Sequence, residues 1–197
     1  MSSKDRYGKF KKKHYVHIAK ATVSYLCDQF GYKIKPLFKE TKLPRDALMM
    51  FGEREEGYVI FYDYKNFKDM FGELNGETQE LYVAGITAHE MRHYYQRRQM
   101  YSLHPKEKRS TLRAWWKNRN NPKSIEDGCS FEEYSLQPLE VDAFLFEYVF
   151  CAEEFGKLPL FSVNNHKHFK AMEKLYIQYN GKTNKDLFPK EVLRILR

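Results

Sequence analysis

Residues 79–100 read QELYVAGITAHEMRHYYQRRQM, and this stretch decides how the rest of the chain is read. It holds no proline and only one glycine, Gly85, so it can run as one long helix. Leu81, Val83, Ala84, Ile86 and Ala88 come just before the pentapeptide His89-Glu90-Met91-Arg92-His93, which makes this helix apolar enough to be buried. A surface helix with two solvated histidines would be far more polar there. Residues four apart share a helix face, so His89 and His93 project side by side, within reach of a single zinc ion. Glu90 stands beside them, where its carboxylate can take a proton from a water whose pKa a zinc ion has lowered. HExxH spacing is therefore a chemical requirement for metal-assisted hydrolysis.

Hydrolytic zinc usually takes three protein ligands and keeps a fourth position open, so a further ligand is expected downstream. Pro138-Leu139-Glu140-Val141-Asp142-Ala143 opens an apolar run to Phe155 that has helix length, with proline at its start. Charges inside such a helix are costly unless paired or bound to metal. Residues two apart lie about 200° around a helix, so Glu140 and Asp142 cannot both point at one ion. Glu140 shares a face with the small Ala143, which leaves room for a neighbouring helix to approach. Asp142 shares one with Leu145, Phe146 and Val149. Glu140 is favoured as the third ligand, and Asp142 is the alternative, or else supports a ligand from behind.

HEMRH, followed 47 residues after His93 by Glu140-Val141-Asp142-Ala143, resembles the zincin metallopeptidases of the glutamate type. In scale it is similar to the compact ImmA/IrrE-type zincins of bacteria, phages and mobile elements. The resemblance covers roughly residues 55–155. It implies a zincin-like α+β domain, a peptidase activity with a polypeptide substrate, and a His, His, Glu zinc site. The chain departs from the usual family pattern by having Asp142 at the third place and Phe144 at the fifth. Arg97 stands where a third histidine would extend the motif in the SprT-like proteases.

Other residues bear on the same chemistry. His14, His17, His104, His166 and His168 form no second helical pair beside a carboxylate and are read as structural. Tyr94 and Tyr134 are the candidates for stabilising the oxyanion. The strand-like run Tyr58–Tyr64 is either an ordinary core strand or a sheet edge on which a substrate peptide adds as a further strand.

Around these motifs the pattern is α+β with helices dominating. A helix is expected over 14–30, stopped by Gly31, then short strands at 32–38, 47–51 and 58–64. A loop or short helix at 66–78 leads into the long helix, and helices at 139–155, 165–179 and 189–197 close the chain. The 197 residues suit a single domain, with a basic arm over about 1–13 and a basic insertion over about 101–130.

The composition, 42% apolar and 16% aromatic with 10 Gly and 7 Pro, excludes collagen, coiled coil and long disorder. The net charge of +8 is concentrated: residues 97–124 carry nine basic side chains against Glu107, and residues 1–20 carry seven against Asp5. These segments make nucleic acid or an acidic protein a partner to consider, although no recognition motif accompanies the charge. Trp115 and Trp116 in the insertion either stack on bases or anchor it to the core. No apolar run spans a membrane, no export signal opens the chain, and Cys27, Cys129 and Cys151 form no CxxC pair, so a cytoplasmic setting is expected. The rival to a peptidase is a regulatory protein with a structural metal, and Glu90 argues against it, since a structural site needs no carboxylate beside its first ligand.

Overall fold

The computed structural model describes residues 10–44, 47–55, 57–157, 159 and 166–180. It is an α+β protein with seven helices and a three-stranded sheet among those residues. The expected helix at 189–197 and the first nine residues of the basic arm lie outside them. The chain divides into two compact units, residues 1–94 and 95–197, and the division falls inside the long helix.

In the first unit, α1 (Lys12–Phe30) buries Tyr15, Ala19, Thr22, Val23, Leu26 and Cys27, a stripe at three- and four-residue spacing. It takes in the end of the expected arm. It stops at Gly31, whose φ of 73° is left-handed and lets Tyr32 N–H reach back to the Cys27 carbonyl at 2.8 Å. Strands β1 (Leu37–Glu40), β2 (Met49–Arg54) and β3 (Gly57–Tyr62) form the sheet in the order β1-β3-β2, with β3 parallel to β1 and antiparallel to β2. The Tyr58–Tyr64 run is therefore a central strand, and the sheet-edge reading of it is corrected. Val59, Ile60, Phe61 and Tyr62 are all buried, which is why the sequence there is a continuous apolar run rather than an alternating one. The edges are β1 and β2.

Asp63 ends the sheet and starts α2 (Tyr64–Phe71), accepting N–H bonds from Lys65, Asn66 and Leu43. The helix α3 (Gly76–Met100) follows, with Asn75 Oδ1 accepting from Thr78 N–H at 2.9 Å at its start. Glu77 in its first turn and Arg97 and Arg98 in its last complement the helix dipole. Leu81, Tyr82, Val83, Ala84, Ile86, Ala88, Met91 and Tyr94 are buried around its circumference, as its apolar sequence requires.

In the second unit, α4 (Arg109–Asn120) lies within the basic insertion and buries Trp115 to 1% exposure, so this tryptophan is an anchor and not a stacking platform. The short α5 (Phe131–Ser135) is held by a reciprocal Ser130–Glu133 capping box. It leads into α6 (Pro138–Phe155), which ends at Gly156 with φ 62°. Val141, Leu145 and Tyr148 of α6 pack with Met172 of α7 (His166–Asn180) as the core of this unit. No helix among the described residues is long and apolar enough to cross a membrane.

Candidate metal centre

α3 carries His89, Glu90 and His93 on consecutive turns, and the two imidazole Nε2 atoms face each other at 3.2 Å. In a tetrahedral zinc site with Zn–N bonds of about 2.0–2.1 Å, two ligand nitrogens stand roughly 3.3 Å apart, so the pair already has the separation one ion would impose. In the absence of a cation the same contact is a hydrogen bond in which one ring donates and the other accepts. Glu140 of α6 joins them: one ligand atom from each of His89, His93 and Glu140 lies within 4.8 Å of the others. His89 is buried, whereas His93 and Glu140 are half-buried. Two neutral nitrogens and one carboxylate form a donor set suited to zinc.

Glu90 is buried and points to the sheet. Its Oε2 accepts the backbone N–H of Phe51 at 2.7 Å. In the β2–β3 register, Asp63 N–H bonds to the Leu48 carbonyl, which places Phe51 in an alternate, non-bonded pair with Ile60. The Phe51 N–H is consequently turned away from β3, and this outward edge position is what Glu90 occupies. One carboxylate oxygen is fixed by the strand and Oε1 remains for other chemistry. Burial first, and then the Tyr62, Asp63 and Glu90 groups, keep the proton on the Tyr15 hydroxyl, which has no hydrogen-bond partner among the described residues.

Glu140 is set by contacts within the second unit. The N-cap Gln137 gives α6 no side-chain cap, and Asn118 of α4 takes that role by accepting the Leu139 N–H at 3.1 Å. Gln137 instead ties the insertion down. Its Oε1 accepts from Asn118 Nδ2 and from Lys123 N–H, both at 2.7 Å, and its Nε2 donates to the Lys123 carbonyl at 2.9 Å. From the last turns of α3, the Gln96 amide donates to the Leu139 carbonyl at 2.9 Å and to Asp142 Oδ2 at 2.7 Å. These bonds grip α6 on both sides of Glu140.

The two acidic candidates thus have different surroundings: Glu140 is brought to the histidines, and Asp142, 1% exposed, is engaged by Gln96. Of the oxyanion candidates, Tyr94 is buried and its hydroxyl donates to the Ile34 carbonyl at 2.7 Å, while Tyr134 lies on α5 with its ring against Phe131. Neither belongs to the ligand cluster. Phe51, Gln96, Asn118 and Gln137 were not legible as site residues. Only the placement of Gln96 on the motif helix, three residues beyond His93, gave a signal. The cysteines are free thiols, and burial pushes those of Cys27 and Cys151 up and away from reactivity.

Compared with family models, curated proteins and solved structures, the chain matches none.

Proposed function

We propose that this protein is a zinc-dependent peptidase on a zincin-like scaffold, with His89, His93 and Glu140 holding the metal and Glu90 acting as the base. The observation that supports it most is the 3.2 Å Nε2–Nε2 separation with Glu140 in ligand range. Bound zinc would supply Lewis acidity, lowering the pKa of a water and polarising a scissile carbonyl.

The chain's own residues do the rest. Glu90, held by Phe51 N–H through Oε2, uses Oε1 to accept the proton of the attacking water and then delivers it to the leaving amine. Because the strand fixes the carboxylate before substrate arrives, no reorientation is needed during proton transfer. Burial of His89 and Glu90 excludes competing solvent from the proton's path.

The test is Glu90→Gln in zinc-loaded protein offered casein and random peptide libraries. The amide keeps the side chain's shape but cannot take a proton, so zinc content should stay at the wild-type level while hydrolysis falls about 10²–10⁴-fold. Cleavage at the wild-type rate would remove Glu90 from the reaction.

A further inference from the structure

The insertion does more than brace α6. The face of α4 that holds Trp115, Asn118 and Thr111 is buried, and Asn118 locks it to Gln137 and Leu139, so the orientation of the helix within its unit is set. On another face Arg109, Arg113 and Lys117 follow at four-residue intervals, about 6 Å apart along the axis, and all three are exposed. None of the three pairs with a carboxylate among the described residues. Like charges at this spacing repel and weaken a helix. Lys106 and Lys108, also exposed, extend the stripe beyond the helix start. Among the described residues no ion pair offsets this repulsion at Arg109, Arg113 or Lys117, and an external polyanion would relieve it.

Aromatic rings flank the stripe. Tyr101 is about half exposed and lies 5.2 Å from the half-buried Trp116 in an edge-on pair. Arg97 and Arg119 stand over the Tyr101 ring at 4.6 and 5.3 Å, and Arg119 also over Trp116 at 5.2 Å. A row of exposed cations beside the half-exposed Tyr101 and the half-buried Trp116 suits a chain of phosphates carrying flat bases, because stacking tolerates every base whatever its sequence. An acidic protein would satisfy the charges but would leave the rings without a matching partner. We propose that α4 and the Tyr101–Trp116 pair form a binding surface for single-stranded nucleic acid, independent of the metal centre.

Fluorescence anisotropy of the full-length protein with a labelled oligo-dT of about 20 nucleotides, over a range of salt concentrations, tests this. Each phosphate contact on a single strand contributes about 0.7 to the slope of log K against log salt. The triple variant R109Q/R113Q/K117Q should therefore lower the slope by about 2 and weaken binding roughly tenfold or more at 0.1 M salt. Removing the repulsion leaves α4 intact, so the variant's melting temperature should equal or exceed wild type. Trp116→Ala should weaken oligo-dT binding while leaving the slope unchanged. An unchanged slope in the triple variant, or poly-glutamate binding as tightly as oligo-dT to the wild type, would overturn the proposal.

Discussion

Gln96 and Asp142 are joined by a 2.7 Å hydrogen bond, and the amide nitrogen that makes it also reaches the Leu139 carbonyl at 2.9 Å. One side chain thus holds the residues on either side of Glu140. Gln96→Leu would remove both bonds and leave a buried carboxylate and a carbonyl short of a donor, at a cost of about 1–3 kcal/mol. Urea denaturation should show this loss, and zinc titration of the same variant should show weaker binding, because Glu140 would no longer be held in place. Stability within about 0.5 kcal/mol of wild type would mean that the clamp is dispensable.

The acidic residues of α6 should separate by readout. Glu140→Ala removes a proposed zinc ligand, whereas Asp142→Ala removes only support for the backbone that carries it, a change that typically weakens metal binding about 10–100-fold. Calorimetric titration should find the greater loss of zinc affinity in Glu140→Ala, and thermal melts should find the greater loss of stability in Asp142→Ala. The reverse order of affinities would transfer the ligand role to Asp142.

Phe51 offers a test of how the proposed base is anchored that leaves the proposed metal ligands untouched. Its N–H makes no ladder bond, so Phe51→Pro on this edge strand removes only the donor to Glu90 along with the ring. Phe51→Ala loses the same ring, with its contacts to Tyr58 and Tyr94, but keeps the N–H. Hydrolysis should fall further in the proline variant than in the alanine variant, at equal zinc content. Equal activities would show that the strand does not position Glu90.

The histidine pair, the long helix and the carboxylate helix were legible because each rests on local periodicity: four-residue spacing for His89 and His93, and apolar continuity around Leu81–Ala88 and Val141–Phe155. The central place of β3 was less so. A continuous apolar run indicates burial on both faces, but strand order depends on which segments pair, and Leu37–Glu40 carries little β signal of its own. The Phe51 contact was beyond reach because it uses a backbone N–H, which any residue type supplies. Asn118 and Gln137 were missed for a related reason: polar residues in a basic insertion look like surface until a long-range partner such as Leu139 N–H is known.

Asp63 gives the protein a defined acid sensitivity. Burial pushes its carboxyl up, but the N–H bonds from Leu43, Asn66 and Lys65 outweigh this and hold it below the ordinary value of 3.8. A group whose folded pKa is depressed stabilises the fold fully above its unfolded pKa and loses that contribution as pH falls through the folded value. Asp63→Asn keeps one oxygen for the Lys65 and Asn66 N–H groups but turns an amide NH2 toward the Leu43 N–H and lacks the charge. Wild type should exceed it in stability at pH 7, by about 1.5–3 kcal/mol for a lost hydrogen bond to a charged group, and the gap should shrink as pH falls below 3.8. A gap constant from pH 7 to pH 2, followed by denaturant unfolding, would contradict this.

The proposed peptidase site requires His89, His93 and Glu140 together to hold one zinc ion. Isothermal titration of zinc into metal-free protein should give one site per chain, and a 100-fold excess of zinc over the dissociation constant should stabilise the fold by about 2.7 kcal/mol. His93→Ala should abolish both the site and the stabilisation. Equal zinc binding by wild type and His93→Ala, or no saturable binding by either, would contradict it.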